Sequence, residues 1–288
     1  MLGLVEHEIE ISEATIKECA LGAHALPLEI RDRLYDFRCK GNEEGYLLFD
    51  NLPVDQSRET LLAFGSLLGD PYSYVQEGNG SLIHDVTPVP SFEKEISSKS
   101  SLIDLDFHTE LVFHYFVPDY LMLFCLRGDR NKEAKTYVSS IREVFSELSE
   151  DLRETLQKPM YVTGIDHSFG NLESCKGNGR IVAILHGDSA DPLLNFDPDM
   201  MVCNAEEGRQ ALAELKEILY RNKHTHHLEA GQLLIIDNKR AVYGRSSFKP
   251  YYDGEDRHLQ RLFVTKDLAR AQEIFGKNER IITYSFNA

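Results

Sequence analysis

The stretch Asp106-Phe107-His108-Thr109-Glu110 decides how the rest of this 288-residue chain is interpreted. In an extended strand, residues i and i+2 point to the same face, so His108 and Glu110 can reach one ion while Thr109 faces away. An imidazole beside a carboxylate suits a divalent first-row metal and supplies two members of the facial triad that binds non-haem Fe(II). The pair alone is not specific, because the same spacing occurs elsewhere in the chain.

The composition limits the classes of protein to which this chain can belong. Hydrophobic residues make up 42% of the chain, charged residues 27%, and the formal net charge is -16. That charge argues against a nucleic-acid partner or an anionic membrane surface, because both require a basic face. Residues 1–7 do not resemble a signal peptide, and no run of about 18 apolar residues predicts a membrane helix. Five scattered cysteines without a Cys-x-x-Cys pair favour reduced thiols and a cytoplasmic location.

The apolar pattern predicts one domain over residues 1–288, with an N-terminal helical layer at 1–70 and a β-rich body with helical insertions at 71–288. Helices are predicted at 12–20, 28–38, 57–68, 140–157 and 205–221, the last capped by Asn204. Strands are predicted at 46–49, 72–76, 82–86, 103–107, 120–126, 136–138, 180–185, 232–236 and 259–265. Many short strands without βαβ alternation indicate an antiparallel sandwich or jelly roll.

A second informative region spans residues 231–261. The buried strand 232–236 runs into a polar turn at 237–240, which could deliver a residue back to the metal. Arg257 and Arg261 follow, four residues apart, and the planar fork of arginine binds a carboxylate at two points. Without the first motif, these residues would be interpreted as surface charges beside a hairpin turn.

Three segments together resemble the Fe(II)/2-oxoglutarate-dependent oxygenases of the clavaminate synthase-like group. They are Phe107-His108-Thr109-Glu110, Asp237-Asn238-x-Arg240 and Phe248-x-Pro250-x-x-Asp253-Gly254-x-Asp256-Arg257-x-Leu259-x-Arg261. The resemblance extends over about residues 76–265, and members of the group hydroxylate free arginine, asparagine and lysine. It implies a mainly β fold with flanking helices, a double-stranded β-helix (jelly roll) with the metal at its open end.

The resemblance also implies roles for individual residues. His108 and Glu110 would be ligands of Fe(II). Arg257 would hold the far carboxylate of the cosubstrate 2-oxoglutarate, and Thr136 matches the hydroxyl residue that assists there.

On the substrate side, the resemblance implies that Arg261 binds the carboxylate of an amino acid and that Gln76 lies near its amino group. Asn195 and Asp197 fall where the arginine hydroxylases place two acidic contacts to the substrate side chain. Because the first of these is an amide here, a guanidinium substrate is less favoured, while other cationic substrates stay open.

The main departure from the family pattern is Tyr243, which stands where the third ligand is a histidine. A phenol has a pKa near ~10 and must ionise to ligate well, and phenolate favours a more oxidised iron than Fe(II). Three roles are therefore open: Tyr243 ligates the metal, leaves a coordination position open, or redirects the chemistry. His258, where the family usually has tryptophan, is disfavoured as a replacement ligand because its strand neighbours should aim it elsewhere.

The other pairs of a histidine and an acidic residue at a spacing of two are better explained by roles other than metal binding. His186-Gly187-Asp188 is expected in a turn, and the cluster His224–His227, which includes the His227/Glu229 pair, is expected to be a solvated polar patch. Nucleophile motifs, a phosphate-binding loop and a dinucleotide fingerprint are absent from the sequence.

Two functions follow. The first is an oxygenase that uses Fe(II), O2 and 2-oxoglutarate to hydroxylate or desaturate a free amino acid or a related small zwitterion. The second is a catalytically altered or inactive small-molecule-binding protein on the same jelly roll, because the third ligand has changed.

Overall fold

The computed structural model describes residues 11–169, 176–277 and 279–286. Its helices are α1 (Glu13–Gly22), α2 (Leu28–Lys40), α3 (Ser57–Leu68), α4 (Ile141–Val144), α5 (Glu150–Leu156), α6 (Glu206–Arg221) and α7 (Ala269–Phe275). Its strands are β1 (Tyr46–Phe49), β2 (Asp70–Tyr74), β3 (Ile83–Val86), β4 (Leu105–His108), β5 (Tyr120–Arg127), β6 (Thr136–Ser140), β7 (Tyr161–Val162), β8 (Ile181–Val182), β9 (Leu185–Gly187), β10 (Pro192–Leu194), β11 (His224–His226), β12 (Leu233–Asp237), β13 (Ala241–Arg245), β14 (His258–Thr265) and β15 (Ile281–Ile282).

Two sheets form the jelly roll. The major sheet has the order β1-β12-β5-β14-β2-β15, with β3 also paired to β14, and the minor sheet has the order β11-β6-β13-β4. Side chains from both sheets, including Leu121, Leu123, Val138 and Ala241, share one buried cluster. This inter-sheet core shows that the two sheets pack face to face, as the sequence predicted.

The central strand β5 is buried on both faces. Leu121, Leu123 and Cys125 point into the inter-sheet core. Tyr120, Met122 and Phe124 alternate with them and pack in a second core beneath α1, α2 and α3. A strand covered on both faces needs a continuous apolar run, which is why its sequence shows no polar alternation.

Strand β13 carries residues of two kinds. Val242 packs with Leu215 and Leu219 of α6 in the outer core of the minor sheet. Tyr243 points the other way and packs against the inter-sheet core. Because alternate residues share a face, Arg245 also points inward, and this strand brings two polar side chains between the sheets.

The structure corrects several predicted elements. The single helix predicted at 140–157 is broken into α4, a 3-10 turn and α5, because Leu148 is extended and the Ser149 side chain accepts from Leu152 N to start α5. The position before α6 is Ala205, which makes no side-chain cap, so the cap predicted at Asn204 is wrong. The strand predicted at 180–185 is split between β8 and β9, and β13 was not predicted.

Two further observations concern the environment of the chain. Within the described residues, no helix combines the length and the apolar character that crossing a membrane requires. Cys19, Cys39, Cys125 and Cys203 are free thiols, and the remaining cysteine, Cys175, lies outside the described residues.

Candidate metal and substrate site

Three side chains from β4, β13 and the segment after β4 meet between the sheets. Tyr243 lies directly opposite His108 in the β13–β4 register, and their ring centroids are 4.4 Å apart. His108 Nε2 lies 4.0 Å from Glu110 Oε2. The Tyr243 hydroxyl donates a hydrogen bond to the same Glu110 oxygen. The structure therefore brings together the three residues that the sequence singled out as candidate metal ligands.

A backbone contact orients His108. Its Nδ1 lies 2.8 Å from the carbonyl oxygen of Asp106, and a carbonyl can only accept, so Nδ1 carries the proton. The lone pair is then on Nε2, the atom that faces Glu110. This is the usual arrangement of a metal-binding histidine, whose second nitrogen donates to a carbonyl or carboxylate that fixes the ring.

Asn238 holds Glu110 in place. Its Oδ1 accepts from Glu110 N at 2.6 Å, while its Nδ2 donates to Glu110 O at 3.2 Å and to Pro118 O at 2.9 Å. The next residue, Leu111, has φ of 52°, a conformation that non-glycine residues adopt infrequently. Asn238, which is 1% exposed, thus determines where the Glu110 side chain leaves the backbone.

The donor set can be tested against a metal ion. First-row ions hold N and O ligands at about 2.0–2.2 Å, so two ligand atoms of one ion lie at most about 4.4 Å apart. The 4.0 Å between His108 Nε2 and Glu110 Oε2 falls within that limit. Over residues 11–169, 176–277 and 279–286, no group of three or more His, Cys, Asp or Glu forms a metal site. His108 and Glu110 can thus reach one ion, and Tyr243, which contacts both side chains, is the neighbouring side chain at the third-ligand position of the family pattern.

Tyr243 is protonated in this arrangement. Burial, and next the Glu110 carboxylate, raise the pKa of the Tyr243 phenol well above its ordinary value. The phenol donates its proton to the carboxylate oxygen that faces His108, so this hydrogen bond and a metal ion compete for the same Glu110 oxygen.

Arg261 of β14 closes the site from the major sheet. Its NH1 donates to Glu110 Oε1 at 3.4 Å, its NH2 pairs with Glu77, and its Nε donates to His84 Nδ1 at 3.3 Å. Burial alone would lower the pKa of Arg261, but the Glu77 and Glu110 carboxylates raise it instead. The predicted substrate arginine is therefore charged and already surrounded by acceptors of the chain.

His84 is a neutral part of this network. Its Nδ1 accepts from Arg261, so the proton is on Nε2, which lies 2.7 Å from Ser73 Oγ and 3.0 Å from Ser81 O. Burial and the Arg261 charge lower the pKa of His84 to about 3. A cationic imidazole is thus disfavoured beside the guanidinium.

The predicted cosubstrate residues meet just before the start of β14, where Arg257 precedes the strand. Arg257 NH2 donates to Thr136 Oγ1 at 3.4 Å, and both side chains are buried. Burial lowers the pKa of Arg257 to about 10. Among the described residues, no carboxylate lies within ion-pair distance of Arg257, so this buried cation is available for an added anion.

The other predicted substrate residues differ in their surroundings. Gln76 Nε2 donates to Tyr284 O at 2.8 Å and to Ser285 Oγ at 3.0 Å, while its buried Oε1 has no partner. Asn195 Nδ2 donates to Ala183 O at 3.0 Å. Burial raises the pKa of Asp197 to about 6, and His108 counteracts that rise, so Asp197 lies near the candidate ligand.

Sequence reasoning missed two charged residues of the site. Glu77 directly follows Gln76 and pairs with Arg261. Arg245 lies two residues after Tyr243 on the same strand face, and burial and the nearby Arg257 charge lower its pKa to about 9. If β13 had been recognised as a strand, the alternation of its side chains would have placed Arg245 on the same face as Tyr243.

The rival histidines take other partners. His258 Nε2 lies 2.7 Å from Asp85 Oδ1, and His224 Nε2 lies 2.8 Å from Glu143 Oε1. His186 belongs to the β9–β10 hairpin, in which Gly187 has a positive φ, as the predicted turn requires. His224 lies in β11, a short strand of the minor sheet, and not in a fully solvated loop.

Comparison with known proteins identifies the family of this chain. Residues 28–263 match the family model described as Taurine catabolism dioxygenase TauD, TfdA family. The chain belongs to this dioxygenase family. It is 35% identical to an L-asparagine oxygenase of Streptomyces coelicolor over 86% of the chain and 79% of that protein. It is 29% identical to an L-lysine 3-hydroxylase of Catenulispora acidiphila over 98% of the chain and 84% of that protein.

A solved structure supports both the family and the fold. Asparagine oxygenase in complex with Fe(II), 2S,3S-3-hydroxyasparagine and succinate superposes with a TM-score of 0.88 at 32% identity. The match covers 96% of this chain and 91% of that one. The family and the jelly roll expected from the sequence are thereby confirmed.

The Asn238 contacts generate a first prediction. Asn238→Ala leaves Glu110 N and two carbonyl oxygens without their partner, and each buried unsatisfied group costs about 1–3 kcal/mol. We expect the free energy of unfolding in urea to fall by about 2 kcal/mol or more. Asn238→Asp, which keeps the shape but sets a carboxylate against two carbonyls, should cost at least as much at pH 7.

The control is Asn131→Ala, which removes an exposed amide that donates to Tyr251 OH. That change should stay within about 0.5 kcal/mol. Equal, small effects of the Asn131 and Asn238 variants would contradict the role assigned to Asn238.

The second prediction concerns pH. Below its ordinary pKa of 6.5, His84 takes up a proton in the unfolded chain, whereas folded His84, with a pKa of about 3, does not. Stability should therefore fall as pH decreases from 7 to 5, by about 2 kcal/mol from this group. Urea titrations at several pH values measure this fall in the free energy of unfolding. His84→Gln should lack the contribution of His84 to it. The control His24→Gln, at an exposed position, should retain that contribution. An unchanged pH dependence in His84→Gln would show that His84 is not the neutral acceptor.

Proposed function

We propose that this chain is an Fe(II)- and 2-oxoglutarate-dependent oxygenase that hydroxylates or desaturates a free amino acid or a related small zwitterion. The observation that carries the proposal is the convergence of His108 Nε2 and the Glu110 carboxylate beside the ion pair of buried Arg261 with Glu77. A metal-binding pair next to opposite charges suits a small molecule that itself carries both charges.

His108 and Glu110 would hold the iron. The iron, when bound, supplies the activation of O2 that this family couples to oxidation of 2-oxoglutarate. The chain contributes rigidity: the Asp106 carbonyl fixes the His108 ring, and Asn238 fixes the Glu110 backbone on both sides. Preorganised ligands of this kind lose little freedom when the ion binds.

Arg257 and Thr136 would bind the far carboxylate of 2-oxoglutarate. The guanidinium is buried and has no carboxylate partner within the described part of the chain, and the Thr136 hydroxyl lies 3.4 Å from it. A carboxylate would therefore gain a charge-assisted hydrogen bond without having to displace an existing ion pair.

Arg261 and Glu77 would recognise the two charges of the substrate. A substrate carboxylate can bind Arg261, and the Glu77 carboxylate can then accept the substrate ammonium, so the internal pair is exchanged for two intermolecular ones. The partnerless Gln76 Oε1 is a further acceptor for an ammonium group. Asp197, near His108, favours a cationic or hydrogen-bond-donating substrate side chain, while the Asn195 amide is already used by Ala183 O.

One observation favours a second candidate, a binding protein without turnover. The Tyr243 phenol, which stands where the family pattern has its third ligand, is protonated and donates to Glu110, and a neutral hydroxyl is a weaker ligand than an imidazole. Such a site would bind the amino acid and the 2-oxo acid but hold iron weakly.

The third prediction tests the metal pair. In anaerobic titrations with Fe(II) and 2-oxoglutarate, the native protein should develop a metal-to-ligand charge-transfer band, and His108→Ala should abolish it and bind no iron by elemental analysis. His227→Ala is the matched control, because His227 has the same spacing to Glu229 but is exposed and should not affect the band. Stoichiometric iron in His108→Ala would refute the assignment.

The fourth prediction separates the two candidates through Tyr243. If the phenol ligates oxidised iron, the native protein should show a visible phenolate-to-metal absorption that Tyr243→Phe removes. Tyr243→His should restore the family's ligand set, with tighter Fe(II) binding and turnover of 2-oxoglutarate. If Tyr243→His gains neither, the binding protein becomes the better account.

A further inference from the structure

Arg245 is a buried cation that the proposed roles do not yet use. Its side chain is 5% exposed; NH2 donates to Ser100 Oγ at 2.8 Å and to Ile103 O at 3.5 Å. NH1 is buried and has no hydrogen-bond partner. Among the described residues, no carboxylate lies within ion-pair distance of this guanidinium. A buried charge without a counter-ion is unfavourable, so the site is electrostatically incomplete.

The strand register points Arg245 at the cosubstrate end of the site. Arg245 of β13 lies directly opposite Thr136 of β6, so their side chains share the inward face of the minor sheet. Thr136 is the residue whose hydroxyl accepts from Arg257. Two buried arginines are thus neighbours of Thr136, one on the strand that pairs with its own and one from the major sheet.

We propose that Arg245 and Arg257 together bind the far carboxylate of 2-oxoglutarate, with the Thr136 hydroxyl between them. The inference rests on the proposed function, because it assigns a second cationic residue to its cosubstrate. A carboxylate accepts up to four hydrogen bonds through two oxygens, so it can serve both guanidinium groups. It also supplies the negative charge that this end of the site lacks.

The arrangement has a consequence for selectivity. Two like charges enclosed in a buried site repel one another unless an anion lies between them. A 2-oxo acid with a second carboxylate, such as 2-oxoglutarate, relieves that repulsion. 2-Oxovalerate has the same chain length but ends in a methyl group, so it cannot relieve it and should bind far more weakly.

A purely structural role is the alternative. Arg245 also packs with its Cζ 5.0 Å from the Phe248 ring centroid, and its NH2 contacts anchor the segment that contains Ser100 and Ile103. Such a role would influence all ligands of the site equally. The test therefore compares two ligands that differ only in the far carboxylate.

The experiment is calorimetric titration of Mn(II)-loaded protein with 2-oxoglutarate and with 2-oxovalerate. Arg245→Gln should weaken 2-oxoglutarate binding by about tenfold or more, the scale of one lost charge-assisted hydrogen bond, and leave 2-oxovalerate unchanged. Arg245→Lys, which keeps the charge, should restore part of the loss and provides a second variant if Arg245→Gln does not fold. Arg142→Gln is the control, since Arg142 pairs with Asp191 outside the site and should not affect the ratio of the two affinities.

Equal weakening of both ligands, or an unchanged affinity for 2-oxoglutarate, would overturn the role of Arg245. Arg257→Gln identifies which statement has failed. If Arg257→Gln selectively weakens 2-oxoglutarate and Arg245→Gln does not, only the present inference falls. If the native protein does not bind 2-oxoglutarate at all, the proposed function falls with it.

Discussion

The buried Glu110 carboxylate depends on Asn238, and the candidate site depends on both. The Asn238 amide accepts from the backbone N–H of Glu110 and donates to two carbonyl oxygens, so it fixes the chain where it leaves β4. The carboxylate then lies where His108, Tyr243 and Arg261 reach it from two sheets. Burial of a carboxylate is costly unless it is hydrogen-bonded and paired, and here a phenol and a guanidinium offset that cost.

Charge is distributed unevenly along the space between the sheets. Around Arg261, the Glu77 and Glu110 carboxylates outnumber the cation, and Asp197 adds to the acidic character near His108. Around Thr136, two guanidinium groups lack any carboxylate partner within the described residues. An acidic end suits a divalent ion and an ammonium group, and a basic end suits a dianion. This difference in charge matches the proposed binding of an amino acid beside Arg261 and of 2-oxoglutarate beside Thr136.

Tyr243 is where the sequence departs from the family pattern that it resembles. Tyr243, which stands where the family pattern has a histidine, packs its ring against His108 and donates its hydroxyl proton to Glu110, so a basic ring nitrogen is replaced by a neutral hydroxyl. The phenol proton therefore lies on a carboxylate oxygen that the proposed metal ion would need, whereas the fold around Tyr243 is retained.

The sequence by itself determined the fold class, the positions of most strands, and the pairing of His108 with Glu110, because apolar periodicity and a spacing of two are local properties of the chain. It also placed Arg257 and Arg261 through their resemblance to a family pattern. Only the tertiary structure decided which acceptors surround each charge. Glu77 reaches Arg261 from 184 positions away in the sequence, and Arg245 faces Thr136 across 109 positions. Such contacts arise from strand register within the minor sheet and from packing between distant segments, which no local pattern encodes.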